Sequence, residues 1–306
     1  MPPVNKASTA EVAVLMTCHN RRETTLKCLS ALHQQNTSPQ AADFDLYLVD
    51  DGSSDCTSEA VRDRYPNAKI LTGDGSLFWA GGMRLAFKTA LARQHSYYLW
   101  LNDDTLLKPD ALQTLLTTHR SLVEKGQADA IIVGAVQDPI TSAPTYGGRI
   151  QPTRWYSFKF EPVRPAATPQ PCDAFQGNVV LIPHTVAEKV GNIDATFVHN
   201  FGDLDYGLRA RKLGCSIWTA PGFVATCSQN SAKDSWVDTG LSMRSRLKKA
   251  LQVKGFPLKA WTTYLRRHAG PLWFLYWPLP YIRAVIGYRN LAHSPTFAEK
   301  QPTPLP

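Results

Sequence analysis

The stretch Leu48-Val49-Asp50-Asp51-Gly52-Ser53-Ser54-Asp55 runs a short apolar segment straight into tandem acids and a Gly-Ser turn. An unbroken apolar run of this kind is covered on both faces, as in a parallel strand lying between layers of helices. The acids then fall beyond the strand's carboxyl edge, where open α/β sheets bind their ligands. A plain alternative is an Asx turn leading into the next helix, with Asp55 as its N-cap. The cap is the better reading for Asp55. Asp50 and Asp51 in tandem exceed what a turn needs and are candidate ligand-binding residues.

Working outward, the region from Glu11 to Asp138 alternates apolar runs with amphipathic stretches. Val12–Thr17, Leu46–Asp50, Lys69–Thr72, Tyr97–Asn102 and Ala130–Val136 are predicted strands. Thr24–Gln35, Ser58–Arg64, Gly82–Arg93 and Pro109–Glu124 are predicted helices, the first with Leu26, Leu29, Ala31 and Leu32 on one face. This alternation specifies an α/β/α sandwich with a mostly parallel central sheet. Pro139 to Pro171 is punctuated by Gly and Pro and reads as an irregular connection with a short hairpin around Tyr146–Arg149. Asn178–Ile182 is a further strand, Thr185–Val190 and Asp203–Leu213 are helices, and Ser216–Thr219 and Phe223–Thr226 are two strands. From Val237 the pattern is helical, giving a C-terminal helical extension. The expected divisions are a disordered N-terminus at 1–10, a catalytic domain at 11–232, a basic and aromatic helical segment at 233–293, and a tail at 294–306.

The 306 residues are 43% hydrophobic and 19% charged, a globular balance. No uninterrupted apolar run of about 18 residues is present, so no membrane-spanning helix is expected. Met1 to Ala10 lacks a basic-then-apolar secretory pattern, and a cytoplasmic location follows as the expectation. Cys18, Cys28, Cys56, Cys172, Cys215 and Cys227 include no CxxC pair and read as reduced thiols, which leaves zinc out. The net charge is +8, and its bases crowd the last quarter, from Arg244 to Arg289. Nucleic acid, an anionic membrane surface, phosphorylated substrates and a merely solvated basic face each account for such an asymmetry.

Two further stretches carry paired acids, one at a strand end and one at a helix start. Leu99-Trp100-Leu101-Asn102-Asp103-Asp104 ends a strand on acids, which suit Mg2+ or Mn2+ bridging the phosphates of a nucleotide, or else cap the helix near Pro109. Phe201-Gly202-Asp203-Leu204-Asp205-Tyr206-Gly207-Leu208-Arg209 places two acids at a helix start, where the dipole keeps them ionised. Either acid suits a general base; the plain reading is capping, with Arg209 as an ion-pair partner. Gly73-Asp74-Gly75-Ser76-Leu77-Phe78-Trp79-Ala80-Gly81-Gly82-Met83-Arg84 is no dinucleotide fingerprint, since glycine is missing at Phe78. Gly81 and Gly82 before a helix permit close backbone approach to a ligand, Arg84 reaches for a phosphate, and Trp79 stacks on a base or sugar. Helix-start punctuation with a core tryptophan explains the same residues equally well.

In order and spacing, DDGS, the strand-end NDD and the GDxDxxLR helix, with Thr17-Cys18-His19-Asn20-Arg21 after the first strand, resemble the inverting family-two glycosyltransferases from Val12 to Gln229. The resemblance implies a GT-A fold and a nucleotide-sugar donor, UDP- or dTDP-linked. It implies that Thr17, Asn20 and Arg21, with Asp50 and Asp51, hold the donor, that Asn102 and Asp103 join them, and that Asp104 ligates Mn2+ or Mg2+. Asn102 stands where the family's metal motif has its first acid. Asp203 matches the family's base, with Gly202 in place of a preceding glutamate, and Asp205 is the second choice. The family's late metal-ligating histidine is absent; Cys227 lies near that place and reads as a buried structural thiol. Such proteins build bacterial cell-surface polysaccharides and lipopolysaccharide, on glycan or lipid-linked saccharide acceptors.

Trp261 to Tyr288 mixes tryptophan and tyrosine with arginine, which suits a membrane interface or an aromatic subdomain packed on the core. Peripheral attachment to the inner face of the cytoplasmic membrane is therefore an added expectation. Among competing functions, a sugar nucleotidyltransferase would need a Gly-rich basic loop near the first strand, and TCHNRRET has no glycine. A nucleic-acid partner is not expected, because the basic C-terminus carries no recognisable binding module. A catalytically weak relative acting as a scaffold in polysaccharide assembly is the alternative left open by Asn102 and the missing histidine.

Overall fold

The computed structural model describes residues 11–37, 43–152 and 160–287. The expected tails at 1–10 and 294–306 lie outside the described residues.

Chain order is β1 (Val12–Cys18), α1 (Arg22–His33), β2 (Phe44–Asp50), α2 (Thr57–Arg64), β3 (Lys69–Thr72), α3 (Phe78–Leu91), β4 (Tyr97–Leu101), β5 (Leu106–Leu107), α4 (Ala111–Val123) and β6 (Ala130–Gln137). Five short strands follow: β7 (Pro144–Tyr146), β8 (Gly148–Ile150), β9 (Glu161–Pro162), β10 (Gln170–Pro171) and β11 (Ala174–Phe175). The chain continues through β12 (Val179–Pro183), α5 (His184–Val190), α6 (Gly202–Lys212) and β13 (Ser216–Thr226) to α7 (Met243–Ala250), α8 (Leu258–His268), α9 (Trp273–Tyr276) and α10 (Leu279–Ile286).

The main sheet has the order β10-β13-β6-β12-β4-β1-β2-β3. β4, β1, β2 and β3 are mutually parallel, whereas β12 runs antiparallel to both β4 and β6. The apolar runs divide by alternation between the two faces. Val12, Val14 and Met16 of β1 pack with Leu29, Leu32 and Leu115 on one side, and Ala13 and Leu15 pack with Met83, Phe87 and Tyr206 on the other. A sheet buried on both faces explains why these strands read as continuous hydrophobic runs.

Three expectations are corrected. The two strands expected at Ser216–Thr219 and Phe223–Thr226 are one, β13, with register shifts against β6 between Thr219 and Phe223 and between Phe223 and Ala225. Tyr146–Arg149 is not a hairpin but a corner: β7 pairs with β6 in the main sheet, while β8 pairs with β9 and β11 in a second, three-stranded sheet. Gly147, at φ +146, makes that corner, a conformation that disfavours L side chains. Finally, α3 starts at Phe78 rather than Gly82, so Gly81 and Gly82 lie buried inside it.

The C-terminal helices cover the α6 side of the sheet. Phe201 stacks among Phe256, Trp261 and Tyr264, and Tyr281 donates its hydroxyl to Phe256 O at 2.7 Å. No helix among the described residues is long and apolar enough to cross a membrane.

Candidate active site

At the β2 edge the carboxylates are filled from the protein itself. Asp50 accepts from Ser53 N at 2.9 Å and from the Ser58 hydroxyl, which holds the Gly-Ser turn. Asp51 accepts three backbone N–H groups, from Gly75 at 2.9 Å, Leu77 at 3.2 Å and Phe78 at 2.8 Å. The 73–78 loop is thereby folded over β2, and both acids are buried. Asp50 and Asp51 thus organise loops. Asp55 accepts from Arg22 N at 2.9 Å and Thr57 N at 3.2 Å, so one side chain serves the starts of α1 and α2, although the N-cap residue of α2 is Cys56.

The β1 end meets this turn. Asn20, at φ +50, accepts from Ser54 N at 2.7 Å, and His19 Nδ1 lies 2.7 Å from Asp51 O. Thr17 faces α3: a Cβ on Gly82 would stand 2.2 Å from the Thr17 hydroxyl. Gly82 therefore serves close packing of helix on strand, whereas a Cβ on Gly81 would meet Leu77. Arg84, further along α3, donates to Phe197 O at 3.5 Å.

At the β4 edge the carboxylates are less occupied. Asn102 Oδ1 accepts from Trp79 Nε1 at 2.7 Å, which fixes the indole at the rim of the crevice. Arg21 Nη1 donates to Asp103 at 3.1 Å and to Asp104 at 2.8 Å. Asp103 is 8% exposed and its Oδ2 is buried without a hydrogen-bond partner; Asp104 is 27% exposed. Burial pushes the Asp103 carboxyl up to about 6 against the pull of Arg21, with the Asp104 charge adding to the rise. Cys227 Sγ lies 3.5 Å from Asp104 Oδ1, and burial raises its thiol to about 12. It is thus a neutral neighbour of Asp104 at ordinary pH.

At the α6 start the two expected base candidates separate. Asp203 accepts from Gly177 N at 3.0 Å and Leu204 N at 2.8 Å and is partly buried, and a Cβ added at Gly177 would stand 2.4 Å from the Trp79 ring and 3.4 Å from the Asp203 Cβ. Burial raises its carboxyl, while these N–H donors and nearby Arg149 oppose the rise. Asp205 is fully buried and is engaged by Arg209, Arg267 and His268, each at 2.8 Å. A general base must reach the proton it takes. Asp205 cannot, and its role is corrected to that of an anchor joining α6 to α8.

The β8–β11 pairing brings in a residue that sequence reasoning missed. Arg149 is opposite Ala174, and its Nε donates to Gln176 at 3.1 Å, beside Gly177. Its charge faces Asp203. A lone arginine in a Gly- and Pro-rich stretch carries no signal of its own.

The contacts thus form one chain across the carboxyl edge: Asp51 to the 73–78 loop, Trp79 to Asn102, and Gly177 to Asp203, with Asp103 and Asp104 adjoining Asn102. Carboxylates are the donors that hard divalent cations take. Among the described residues no group of three or more His, Cys, Asp or Glu has the geometry to hold a metal. Asp103, with an orphaned oxygen, and Asp104, partly exposed, have the chemistry of a partial ligand set for a hard divalent cation.

Comparison with known proteins bears on the family and the fold. A model of glycosyl transferase family 2 matches residues 13–189. Uncharacterised proteins of Mycobacterium tuberculosis and Mycobacterium bovis are 28% identical over 176 residues, 56% of this chain and 60% of theirs. The chain therefore spans less than two thirds of the length of those relatives. Among solved structures, GalNAc-T7 with UDP, GalNAc and Mn2+ superposes with a TM-score of 0.57 at 14% identity, over 73% of this chain and 44% of that one. The mannosyltransferase PcManGT of Pyrobaculum calidifontis, with GDP-Man and Mn2+, gives 0.52 at 15% identity, over 92% and 74%. Both likenesses concern the GT-A fold.

Proposed function

This chain belongs to glycosyl transferase family 2, whose model spans more than half of it, and we propose that it transfers a hexose or deoxyhexose from a UDP- or dTDP-sugar to a hydroxyl of a glycan or lipid-linked saccharide. The observation that carries the reading is the continuity from Asp103 and Asp104, through Asn102 and Trp79, to Gly177 and Asp203. One end of that line suits a diphosphate and its cation; the other presents a carboxylate to whatever lies against the tryptophan.

In the proposed reaction an acceptor oxygen bonds to the anomeric carbon. The bond from that carbon to the diphosphate breaks, and the nucleoside diphosphate leaves with the electron pair. The product is inverted, as a single displacement requires. Asp203 receives the hydroxyl proton as the new bond forms. The two N–H donors on its carboxylate orient it, and general-base help of this kind contributes roughly 10²–10⁴-fold. Trp79, held by Asn102, offers a face for the sugar or base; Thr17, Asn20 and Arg21 line the donor side. Asp104, with Asp103 beside it, would hold a divalent cation, which would neutralise the charge on the leaving diphosphate. Orientation of donor and acceptor contributes the rest.

Synthesis of a cell-surface polysaccharide at the cytoplasmic membrane face fits the C-terminal helices. No acidic residue occurs between Asp238 and Glu299, and Leu272, Phe274, Leu275, Ile282 and Ile286 are exposed there. Cosedimentation with anionic but not neutral vesicles is the expected result, lost in Phe274→Glu; recovery with vesicles no greater than in a lipid-free control rules lipid attachment out.

The test of the transferase reading is a screen of UDP-, dTDP- and GDP-sugars for hydrolysis or transfer with Mn2+ or Mg2+. Turnover that disappears in Asp203→Asn, with donor binding kept, supports the proposal. Donor binding without turnover in the wild type favours a non-catalytic scaffold.

A further inference from the structure

Arg21 stands immediately before α1, its side chain 46% exposed, and reaches across to the β4 edge. A single nitrogen, Nη1, makes both the 3.1 Å contact to Asp103 and the 2.8 Å contact to Asp104. One positive charge thereby lies between the two carboxylates that would face a metal. We propose that Arg21 is a resident cation of this site, which a divalent metal displaces only when a diphosphate arrives to accept the guanidinium.

This inference rests on the nucleotide-sugar reading above and adds an order of binding to it. Three observations support it. The guanidinium touches the same carboxylates a metal would take, so both cations cannot sit there undisturbed; they repel at such range. Among the described residues no third His, Cys, Asp or Glu is placed to join Asp103 and Asp104 around a metal, so a metal alone gains few ligands in exchange for evicting Arg21. The guanidinium is half-exposed and carries donors beyond Nη1, in a fork suited to phosphate oxygens. A diphosphate therefore changes both sides of the exchange. It supplies oxygen ligands to the metal and a new partner to Arg21.

Linkage makes the consequence measurable. If nucleotide raises metal affinity by some factor, metal raises nucleotide affinity by the same factor. Removing the competing guanidinium shrinks that factor, because metal then enters an empty pair of carboxylates. The probe is Mn2+, followed by loss of the free-ion electron paramagnetic resonance signal, on wild type, Arg21→Gln and Arg21→Lys, each without nucleotide and with UDP. Thermal unfolding of each variant establishes that it is folded.

The expected result is that Arg21→Gln binds Mn2+ without nucleotide about tenfold or more tightly than the wild type, a change typical of coupled sites. Arg21→Lys falls between, since it keeps the charge but lacks the rigid planar guanidinium that holds it there. Adding Asp104→Asn to Arg21→Gln abolishes the gain. If Arg21→Gln and wild type bind Mn2+ alone equally, while UDP still promotes Mn2+ binding in both, the resident-cation proposal fails and the metal-assisted transferase stands. If no protein takes up Mn2+ with UDP, or with dTDP or GDP in its place, both are overturned.

Discussion

Asp50-Asp51 after β2 and Asp103-Asp104 after β4 are alike in sequence and differ in what their carboxylates touch. At the β2 edge Asp51 takes N–H groups from Gly75, Leu77 and Phe78, and Asp50 takes Ser53 and Ser58. At the β4 edge Asp103 keeps an orphaned buried oxygen, and both acids lean on the half-exposed Arg21. A carboxylate filled by fixed backbone donors has little left to offer a ligand and holds the chain in place. One held by a movable side chain can exchange partners. Asp203 and Asp205, two residues apart, divide on another ground, exposure: Asp205 is fully buried among three side chains, whereas Asp203 takes two backbone N–H groups and is only partly buried.

That division can be broken by substitution. Asp203→Asn is expected to lower kcat roughly 10³-fold, about 4 kcal/mol of barrier, with little change in unfolding temperature. Steady-state kinetics beside a melting curve reads both; unaltered turnover would remove Asp203 from the chemistry. Asp205→Ala is expected to do the converse, costing about 3 kcal/mol of stability by leaving Arg209 and Arg267 without their shared carboxylate. Denaturant unfolding measures that loss, and a stable variant would show the anchor to be dispensable.

Asp205 also sets a pH dependence. Burial pushes its carboxyl up, but hydrogen bonds from His268, Arg209 and Arg267 more than offset this and leave it below the usual range. Asp194, paired with Arg267, is likewise lowered, to about 2. A depressed folded-state value stabilises above the unfolded value of about 4, and the gain is lost as pH falls through the folded one. The wild type should therefore lose stability from about pH 4 downward, and Asp205→Asn should flatten that limb. Asp51→Ala sits lower on the scale, at about 2 kcal/mol, the cost of stranding buried N–H groups of the 73–78 loop. Any fall in donor affinity there should follow the loop's disorder, seen as faster hydrogen exchange at Gly75 to Phe78.

Much of the fold was readable because its strands are buried on both faces and its helices intervene at regular intervals. β1, β2, β3, β4, β6 and β12 lie within a few residues of the expected runs. Boundaries set by tertiary contact were not readable. Gly81 and Gly82 suggest a helix start by their type, yet they lie inside α3, where Gly82 receives Thr17. β13 continues through Pro221 and Gly222 because a bulged register against β6 carries it past them.

Within the site, the acids were legible as a group but not their division of labour. Asp50 and Asp103 have similar local sequence; only the 73–78 loop, folded back from later in the chain, fills one edge and leaves the other short. Asp203 and Asp205 were inseparable because the deciding partners, Arg267 and His268, come from α8. Arg149 was invisible for a related reason. Its place beside Gln176 and Asp203 depends on pairing of β8 with β11, and neither strand exceeds three residues.

The division of labour between the two strand ends is tested most directly by calorimetric titration of UDP, dTDP and GDP in the presence of Mn2+ into wild type and Asp104→Asn. The wild type should bind at least one of the three, and Asp104→Asn should bind it about tenfold or more weakly with its unfolding temperature unchanged. Equal affinity in the two proteins would contradict the assignment of the β4 edge as the place where the donor's diphosphate is held.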